Sequence, residues 1–217
     1  MLIDTDTFAV RRIAPETELA PEKTALLIID MMARFCDPAW LAGGNPEGRR
    51  WFEAGLERVI PNIRRTLDAF RQANALVVHA VNAKWTEDGR EVVRYQRGRD
   101  YDRFDTPAMS VIEALAPRPG EITVRKVASS AFTGTGLDFL LRNAGIEHVV
   151  LAGQYGGACV FYSLIQSREF GFDNYWLEDG ILHASEPDQR LITALVGSRW
   201  ARLACSTEIA RALKVSG

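Results

Sequence analysis

The run Ala25-Leu26-Leu27-Ile28-Ile29-Asp30 decides the fold, because five consecutive apolar residues end in a carboxylate. The run is too short for a helix and has no polar residue to face solvent, so it predicts a strand buried on both faces. A carboxylate directly after such a strand has to be paired or functional, since an isolated buried charge is very costly. Asp30 is therefore either a structural residue, as a helix cap or an ion-pair partner, or a functional one.

Apolar runs and amphipathic segments alternate along the rest of the chain. Further strands are predicted at residues 76–81, 122–124, 149–153, 175–177 and 201–204, and helices at about 52–73, 137–143, 160–170, 187–196 and 207–213. This alternation implies crossover connections and an α/β three-layer sandwich, with a mainly parallel central sheet and helices on both faces. No linker or repeat divides the sequence, so residues 1–217 are expected to form a single domain.

The composition excludes several classes of protein. Of the 217 residues, 47% are hydrophobic and 25% are charged, and the net charge of −2 favours neither nucleic acid nor an anionic membrane as a partner. No segment approaches the ~18 continuous apolar residues of a membrane span, and the first residues lack the pattern of a signal peptide. The three cysteines, at 36, 159 and 205, have neither disulfide nor zinc spacing, so we expect free thiols and a cytoplasmic protein.

Cys159 has the strongest chemical setting of the three cysteines. It follows the strand at 149–153 and the turn Gly156-Gly157, and it opens the predicted helix at 160–170. Unpaired N–H groups at a helix N-terminus lower the pKa of a thiol and can also hold an oxyanion. A small cysteine that only packs in the core fits the position equally well.

Two other side chains are candidates to assist a nucleophile. Lys126 ends a predicted strand, and a lysine beside a thiol would stabilise the thiolate, although a surface lysine at a strand end is the simpler interpretation. His183 is the one histidine that offers a cysteine–histidine pair with Cys159. Ligands bind beyond the carboxyl ends of parallel strands, a rule that selects Asp30, the stretch after Val81, Lys126 and the stretch after Ala152.

Residues 83–106 are polar and predict a long surface loop. A basic and aromatic stretch within it contains Arg94, Tyr95, Arg97, Arg99 and Tyr101. Most such stretches are solvated surface, yet a loop after the carboxyl end of a strand can also supply a clamp for a substrate carboxylate. Both interpretations are open at this stage.

The chain resembles the isochorismatase-like cysteine hydrolases from about residue 20 to residue 213, and three blocks carry this resemblance. The blocks are residues 25–32, Lys126 with residues 130–135, and residues 145–153 through to Cys159-Val160. The family includes nicotinamidases, carbamoylsarcosine and ureidoacrylate amidohydrolases, biuret hydrolases and isochorismatases. The resemblance implies a small-molecule substrate, no cofactor, and a homodimer or homotetramer.

For the site, the resemblance implies a Cys–Asp–Lys triad. Asp30 would take the thiol proton, and Lys126 would bridge the carboxylate and the sulfur electrostatically. Cys159 would attack a carbonyl to form a thioester. The resemblance also implies a non-proline cis peptide at Gln154–Tyr155, with the N–H groups of Tyr155 and Cys159 as the oxyanion hole.

Departures from the family pattern bear on the substrate. Metal-binding members carry Asp-x-His and a further His after the second strand, which residues 81–85 lack, so no metal site is expected. Isochorismatases that cleave a vinyl ether often lack the cysteine, so Cys159 favours an amidase. The alternatives are a vinyl-ether hydrolase that uses Asp30 as general acid, and a non-catalytic member that binds a metabolite or a protein. The expected substrate contacts are Phe35, Trp85 and Tyr155.

Overall fold

A six-stranded parallel sheet forms the centre of the computed structural model, which describes residues 8–99 and 101–213. The strands are β1 Thr24–Ile29, β2 Leu76–Asn82, β3 Ile122–Lys126, β4 His148–Gln154, β5 Asp173–Leu182 and β6 Arg202–Ala204. Their order across the sheet is β3-β2-β1-β4-β5-β6, and all neighbours are parallel. The helices are α1 Pro38–Leu41, α2 Pro46–Gln72, α3 Leu137–Asn143, α4 Phe161–Glu169, α5 Glu186–Arg199 and α6 Ser206–Ala212. This architecture confirms the predicted fold class.

The central position of β1 follows from its uninterrupted apolar run. All six residues of β1 are buried, and the strand pairs with β2 on one side and with β4 on the other. Alternate side chains point to opposite layers: Leu26 and Ile28 belong to one hydrophobic core, and Leu27 and Ile29 to a second. Because both faces are covered, a solvent-facing polar residue would have no place in this strand.

Helices cover the two faces of the sheet with separate apolar surfaces. The stripe that α2 buries against the sheet is Leu56, Val59, Ile63, Leu67 and Phe70, and α6 lies in the same layer. On the other face α3, α4 and α5 contribute Leu141, Leu164 and Val196. Within the described ranges, no helix combines the length and the apolar character needed to cross a bilayer.

The helix predicted at 52–73 begins six residues earlier, at Pro46. The side chain of Asn45 accepts a hydrogen bond from the N–H of Glu47 at 3.1 Å, and proline at the first helical position needs no N–H partner. These capping residues add polar turns that the apolar stripe alone does not predict.

The strand predicted at 175–177 is longer than expected, because β5 continues through two carboxylates to Leu182. Asp179 accepts hydrogen bonds from both the N–H and the hydroxyl of Ser206 at the start of α6. Glu178 forms an ion pair with Arg12. The strand therefore tolerates polar residues that interrupt its sequence pattern.

The segment predicted as a surface loop, residues 83–106, packs back onto the sheet instead. Gln96 and Tyr101 within it are buried, and the N–H of Val93 donates to the carbonyl of Val127 at 3.1 Å. Within the segment, the N–H of Lys84 donates a hydrogen bond to the carbonyl of Asp102 at 3.2 Å. The loop thus forms a wall over the carboxyl edge of the sheet.

Candidate active site

Three of the sequence-predicted residues lie together where the strand order reverses. The chain runs from β1 outward to β2 and β3 and then crosses to β4 on the other side of β1, which makes the β1–β4 border a switch point. Asp30 follows β1, Lys126 ends β3, and Cys159 lies in the turn after β4. The topology therefore gathers three residues that are far apart in sequence.

Asp30 and Lys126 form a buried ion pair. Nζ of Lys126 donates to Oδ2 of Asp30 at 2.8 Å, and the two side chains are 0% and 2% exposed. Burial raises the pKa of Asp30, and the charge of Lys126 offsets only part of that effect. Burial acts to lower the pKa of Lys126, but the interactions of the ammonium group with Asp30 and Cys159 outweigh this effect and raise that pKa. The lysine accordingly stays charged beside a carboxyl group with an increased affinity for a proton.

The backbone of Asp30 is held in a left-handed conformation, with φ of 58°. Residues other than glycine rarely adopt this region unless surrounding contacts impose it. Here the N–H of Asp30 donates a hydrogen bond to the carbonyl of Ala80 at 2.8 Å. The carbonyl of Asp30 accepts a hydrogen bond from Nε2 of Gln154, also at 2.8 Å. Nε2 of Gln154 also donates to the carbonyl of Phe35 at 2.7 Å, so one buried amide ties the Asp30 bend to the next turn.

Cys159 interacts electrostatically with both Asp30 and Lys126, and it lines the same cavity as Asp30. It lies in a π-helical turn, Gly156–Val160, that precedes α4. Burial raises the pKa of the Cys159 thiol to about 12, with Asp30 adding to the effect and Lys126 opposing it. Burial and the neighbouring carboxylate thus act against the lowering of this pKa that a helix N-terminus is expected to give.

The turn that carries Cys159 is closely packed. The Gln154–Tyr155 peptide bond is cis, at the position that the family resemblance implies. The carbonyl of Tyr155 accepts the N–H of Val160 at 3.2 Å, and the carbonyl of Cys159 accepts the hydroxyl of Ser163 at 2.7 Å. These bonds hold the backbone around the thiol from both sides.

His183 does not pair with Cys159. Its Nδ1 lies 3.3 Å from Oδ2 of Asp188, and its Nε2 has no hydrogen-bond partner among the described residues. The imidazole ring lies against Gly156, where a Cβ atom would stand 2.1 Å from Cε1. The alternative of a cysteine–histidine pair is therefore excluded, and His183 is a packing neighbour of the turn.

A cavity of about 300 Å³ opens onto the thiol. Its aromatic wall consists of Phe35, Trp40, Tyr95, Tyr101, Tyr155 and Tyr162. A cavity of this volume is at the small end of ligand sites in proteins, which suits a compact molecule. Phe35 and Tyr155, two of the expected substrate contacts, thus lie at the cavity.

Several polar lining residues were not singled out from the sequence. They are Asn82, Gln96 and Ser129. Asn82 ends β2 at the same edge as Asp30 and Lys126, and it is the first residue of the stretch after Val81 that the strand-end rule selects. Gln96 and Ser129 are joined by a hydrogen bond of 2.9 Å between two loops, a contact with no local sequence pattern.

Trp85, the third expected substrate contact, is not at the cavity. Its side chain is 48% exposed and lies 4.6 Å from the ring of Phe104, with the guanidinium of Arg125 over its face at 5.1 Å. The chain turns outward after Asn82, so Trp85 packs on the outer side of the 83–106 wall. The expectation is corrected accordingly.

The three arginines of the wall differ in their surroundings. Arg97 donates to the carbonyls of Val92 and Arg90, at 3.0 and 2.8 Å, and so braces the loop. Arg94 and Arg99 are both exposed, but Arg99 lines the cavity and Arg94 does not. No group of three or more His, Cys, Asp or Glu residues that could hold a metal is found in the described part of the chain.

Comparisons with known proteins agree with this geometry. A family model described as the isochorismatase domain matches residues 24–207. A ureidoacrylate amidohydrolase, RutB, from Rhizobium rhizogenes is 28% identical over 183 residues, which cover 76% of this chain and 72% of that protein. A maleamate amidohydrolase from Pseudomonas putida is 30% identical over 154 residues, which cover 69% and 68% of the two chains.

A solved structure has the same fold. The cysteine hydrolase from Pseudomonas syringae pv. phaseolicola superposes with a TM-score of 0.79, over 95% of this chain and 97% of that one, at 20% sequence identity. At that level of identity the likeness concerns the fold alone.

Proposed function

The chain belongs to the isochorismatase family, and from this premise we propose that it is a cysteine hydrolase of a small amide, ureide or carbamoyl compound. The observation that carries the proposal is the position of Cys159 beside the buried Asp30–Lys126 ion pair, with Cys159 and Asp30 lining one cavity. The names of the two amidohydrolase relatives support cleavage of a carbon–nitrogen bond.

In the first half-reaction, Asp30 accepts the proton of the Cys159 thiol while the sulfur attacks the substrate carbonyl carbon. The raised pKa of Asp30 suits this role, because the carboxylate has to take a proton from a weak acid. The N–H groups of Tyr155 and Cys159 hold the oxyanion of the tetrahedral intermediate. Asp30 then returns the proton to the leaving nitrogen, the carbon–nitrogen bond breaks, and a thioester remains on Cys159.

In the second half-reaction, Asp30 takes a proton from water, which attacks the thioester carbonyl. The carbon–sulfur bond breaks, the sulfur regains the proton from Asp30, and the acid product leaves. Lys126 stays protonated throughout and keeps a positive charge beside both the carboxylate and the developing thiolate.

Asn82 supports an amide-like substrate. The side chain is 1% exposed and lines the cavity, yet neither its Nδ2 nor its Oδ1 has a hydrogen-bond partner among the described residues. An unsatisfied donor and acceptor that are both buried cost free energy until a ligand pairs with them. The carbonyl oxygen and N–H groups of an amide or ureide supply that complement.

The second candidate is a hydrolase of a vinyl ether, with Asp30 as general acid. The raised pKa of Asp30 favours it, since a carboxyl group that keeps its proton can donate one. Cys159 would then take no part in the chemistry.

The test compares single variants on ureidoacrylate, maleamate and isochorismate. We expect the wild type to hydrolyse an amide or ureide. Cys159→Ser and Asp30→Asn should each lower kcat by about 1,000-fold or more, because loss of either member of a catalytic unit disables the whole unit. Cys205→Ser is the matched control, because Cys205 lies at the start of α6, where its thiol contacts Glu178 at 3.3 Å. Denaturing mass spectrometry of the acylated wild type should place the adduct on Cys159.

The two candidates give different outcomes. Full amide hydrolysis by Cys159→Ser contradicts the cysteine mechanism. Turnover of the vinyl ether that survives Cys159→Ser and is abolished by Asp30→Asn establishes the second candidate.

A further inference from the structure

We infer that Arg99 is the residue by which this site selects substrates that carry a carboxylate. The inference rests on the proposed function, since it specifies the substrate of the same site. The carboxylate would lie at the side of the cavity formed by Arg99 and Tyr101, while the amide or ureido group lies at the side of Cys159 and Asn82.

The charges of the cavity favour an anionic substrate group. Among the described lining residues, Arg99 is the one cation and Asp30 is the one anion. Asp30 is already compensated by Lys126 at 2.8 Å, whereas Arg99 has no carboxylate partner among the described residues. A substrate carboxylate would therefore meet an unneutralised positive charge.

The other arginines nearby are occupied by the protein itself. Arg97 is bound to two loop carbonyls, and Arg103 forms an ion pair with Asp105 at 2.8 Å. Arg34 forms an ion pair with Asp102. Arg99 differs from these residues because it faces the cavity and keeps most of its guanidinium donors available.

Tyr101 adds a second donor beside Arg99. Nη1 of Arg99 lies 3.4 Å from the hydroxyl oxygen of Tyr101, at the outer limit of a hydrogen bond, which leaves the tyrosine proton free to donate. The ring of Tyr101 is 6% exposed and lies 5.6 Å from that of Phe35. A guanidinium and a fixed hydroxyl together provide the charge-assisted bonds that carboxylate recognition requires.

The loop geometry holds this pair in place before a ligand arrives. The carbonyl of Gln96 accepts the N–H of Arg99 at 3.2 Å, and the carbonyl of Arg99 accepts the N–H of Tyr101 at 2.8 Å. The hydroxyl of Ser129 bonds both Tyr95, at 2.7 Å, and the side chain of Gln96, at 2.9 Å. Ser129 thus anchors the segment at Tyr95 and Gln96, and backbone hydrogen bonds within the segment order Arg99 and Tyr101, which lowers the entropy cost of binding.

The test uses isosteric pairs of compounds that differ only in charge: maleamate with maleamide, and ureidoacrylate with its carboxamide. In Arg99→Met we expect kcat/KM for the two acids to fall by about 10- to 150-fold, the range for loss of a hydrogen bond to a charged group. The kcat/KM for the neutral partners should change by less than about 3-fold, because an uncharged carboxamide forms no ion pair with the guanidinium. Arg99→Lys should recover part of the preference for the acids, because lysine restores the positive charge but lacks the planar guanidinium that binds a carboxylate with two parallel hydrogen bonds.

Arg94→Met is the matched control, because it removes the same charge from an exposed position of the same loop that does not line the cavity. Its kinetics should equal those of the wild type for all four compounds. A binding measurement covers the case of slow turnover: maleamate should raise the melting temperature of Cys159→Ser and should not raise that of the Cys159→Ser, Arg99→Met double variant.

The outcomes separate this inference from the proposed function. If Arg99→Met lowers hydrolysis of acids and neutral amides equally, if the wild type prefers the neutral partners, or if no acid stabilises Cys159→Ser, the role of Arg99 is overturned. Cysteine-dependent hydrolysis in those cases leaves the proposed function in place. Hydrolysis that survives Cys159→Ser refutes the proposed function, whatever Arg99 does.

Discussion

The Cys159 thiol lies beside a carboxylate in a partly buried position. Burial and Asp30 raise the pKa of Cys159 to about 12, and burial raises the pKa of Asp30 as well. In the mechanism that we propose, the thiolate therefore forms only as Asp30 accepts the proton during attack. This arrangement differs from a cysteine hydrolase that keeps a stable thiolate, where a histidine cation or a helix N-terminus lowers the thiol pKa.

The first prediction concerns the pH dependence of kcat/KM. The active form needs an ionised Asp30, whose pKa is raised above the ordinary value of 3.8. Activity should therefore fall as the pH drops through a value above 3.8, and the thiol should add no second limb near neutral pH. The measurement is kcat/KM against pH, together with the rate of iodoacetamide alkylation of Cys159. An alkylation rate that already reaches a plateau at neutral pH would show a stable thiolate and contradict this assignment.

The second prediction concerns Gly156, which has no space for a side chain. A Cβ atom there would lie 2.1 Å from Cε1 of His183, whose buried ring is bonded to Asp188. Gly156→Ala should lower the free energy of unfolding by about 1–3 kcal/mol through overpacking and should reduce kcat by displacing the turn. Urea denaturation and steady-state kinetics measure the two effects. Gly48→Ala, in α2 with its nearest contact at 3.5 Å, is the control and should retain stability and activity.

Secondary-structure elements contribute their ends to the site and their central residues to the core. The apolar residues of β1 pack between two helical layers, and Asp30 follows at its carboxyl end. The opposite end of the sheet carries a different polar cluster, in which Glu121, just before β3, binds Arg71 of α2 at 2.7 Å and His79 of β2 at 3.1 Å. This cluster lies at the end of the sheet opposite Asp30, and it joins α2, β2 and the start of β3.

The third prediction concerns that cluster. Burial acts to raise the pKa of Glu121, but Arg71, His79 and the N–H of Arg118 outweigh it and lower the pKa to about 2. A carboxylate with a lowered pKa contributes stability above its ordinary value of 4.5 and loses it as the pH falls toward 2. Glu121→Gln should therefore cost about 1–3 kcal/mol at neutral pH, and the difference from the wild type should narrow below pH 4.5.

Urea denaturation of the wild type and Glu121→Gln at neutral and acidic pH measures this effect. Asp68→Asn is the control, because its ion pair with Arg64 is exposed and should be worth less than about 0.5 kcal/mol. An equal difference between Glu121→Gln and the wild type at every pH would refute the electrostatic origin.

The topology of the whole molecule brings the site together. With β1 between β2 and β4, the carboxyl ends of strands from both halves of the sheet meet at one edge, and the 83–106 wall closes the cavity above them. No local segment holds more than one of Asp30, Lys126 and Cys159. Their contact therefore depends on the folded sheet.

The fourth prediction concerns the assembly. The family resemblance implies a homodimer or homotetramer, and α3 exposes two consecutive large apolar side chains, Phe139 at 60% and Leu140 at 40%. Sedimentation analysis should give a multiple of the 24.2 kDa chain, and Phe139→Asp should shift the mass toward the monomer. A wild type that stays monomeric at all concentrations contradicts the assembly, and an unchanged mass in Phe139→Asp excludes α3 as its interface.

The sequence by itself determined the features that depend on local pattern. The apolar run of β1 and the helical stripe of α2 specify buried elements, and their alternation with further segments specifies the parallel sheet. The strand-end rule and the three family blocks then selected Asp30, Lys126 and Cys159. The inferences about the strands, the helices and the fold class succeeded because burial on one or both faces of an element leaves a periodic pattern in the residues themselves.

Only the tertiary structure decided which loop residues face the cavity and in which direction the surroundings shift the pKa of the thiol. Trp85 packs outside the wall, while Tyr101 and Arg99 line the cavity, although all three belong to one polar stretch. Loops have no fixed period, so the side on which a residue lies depends on contacts with distant segments. The pKa of Cys159 likewise depends on how completely neighbouring elements exclude water and which charges they carry, and both are set by packing between residues far apart in the chain.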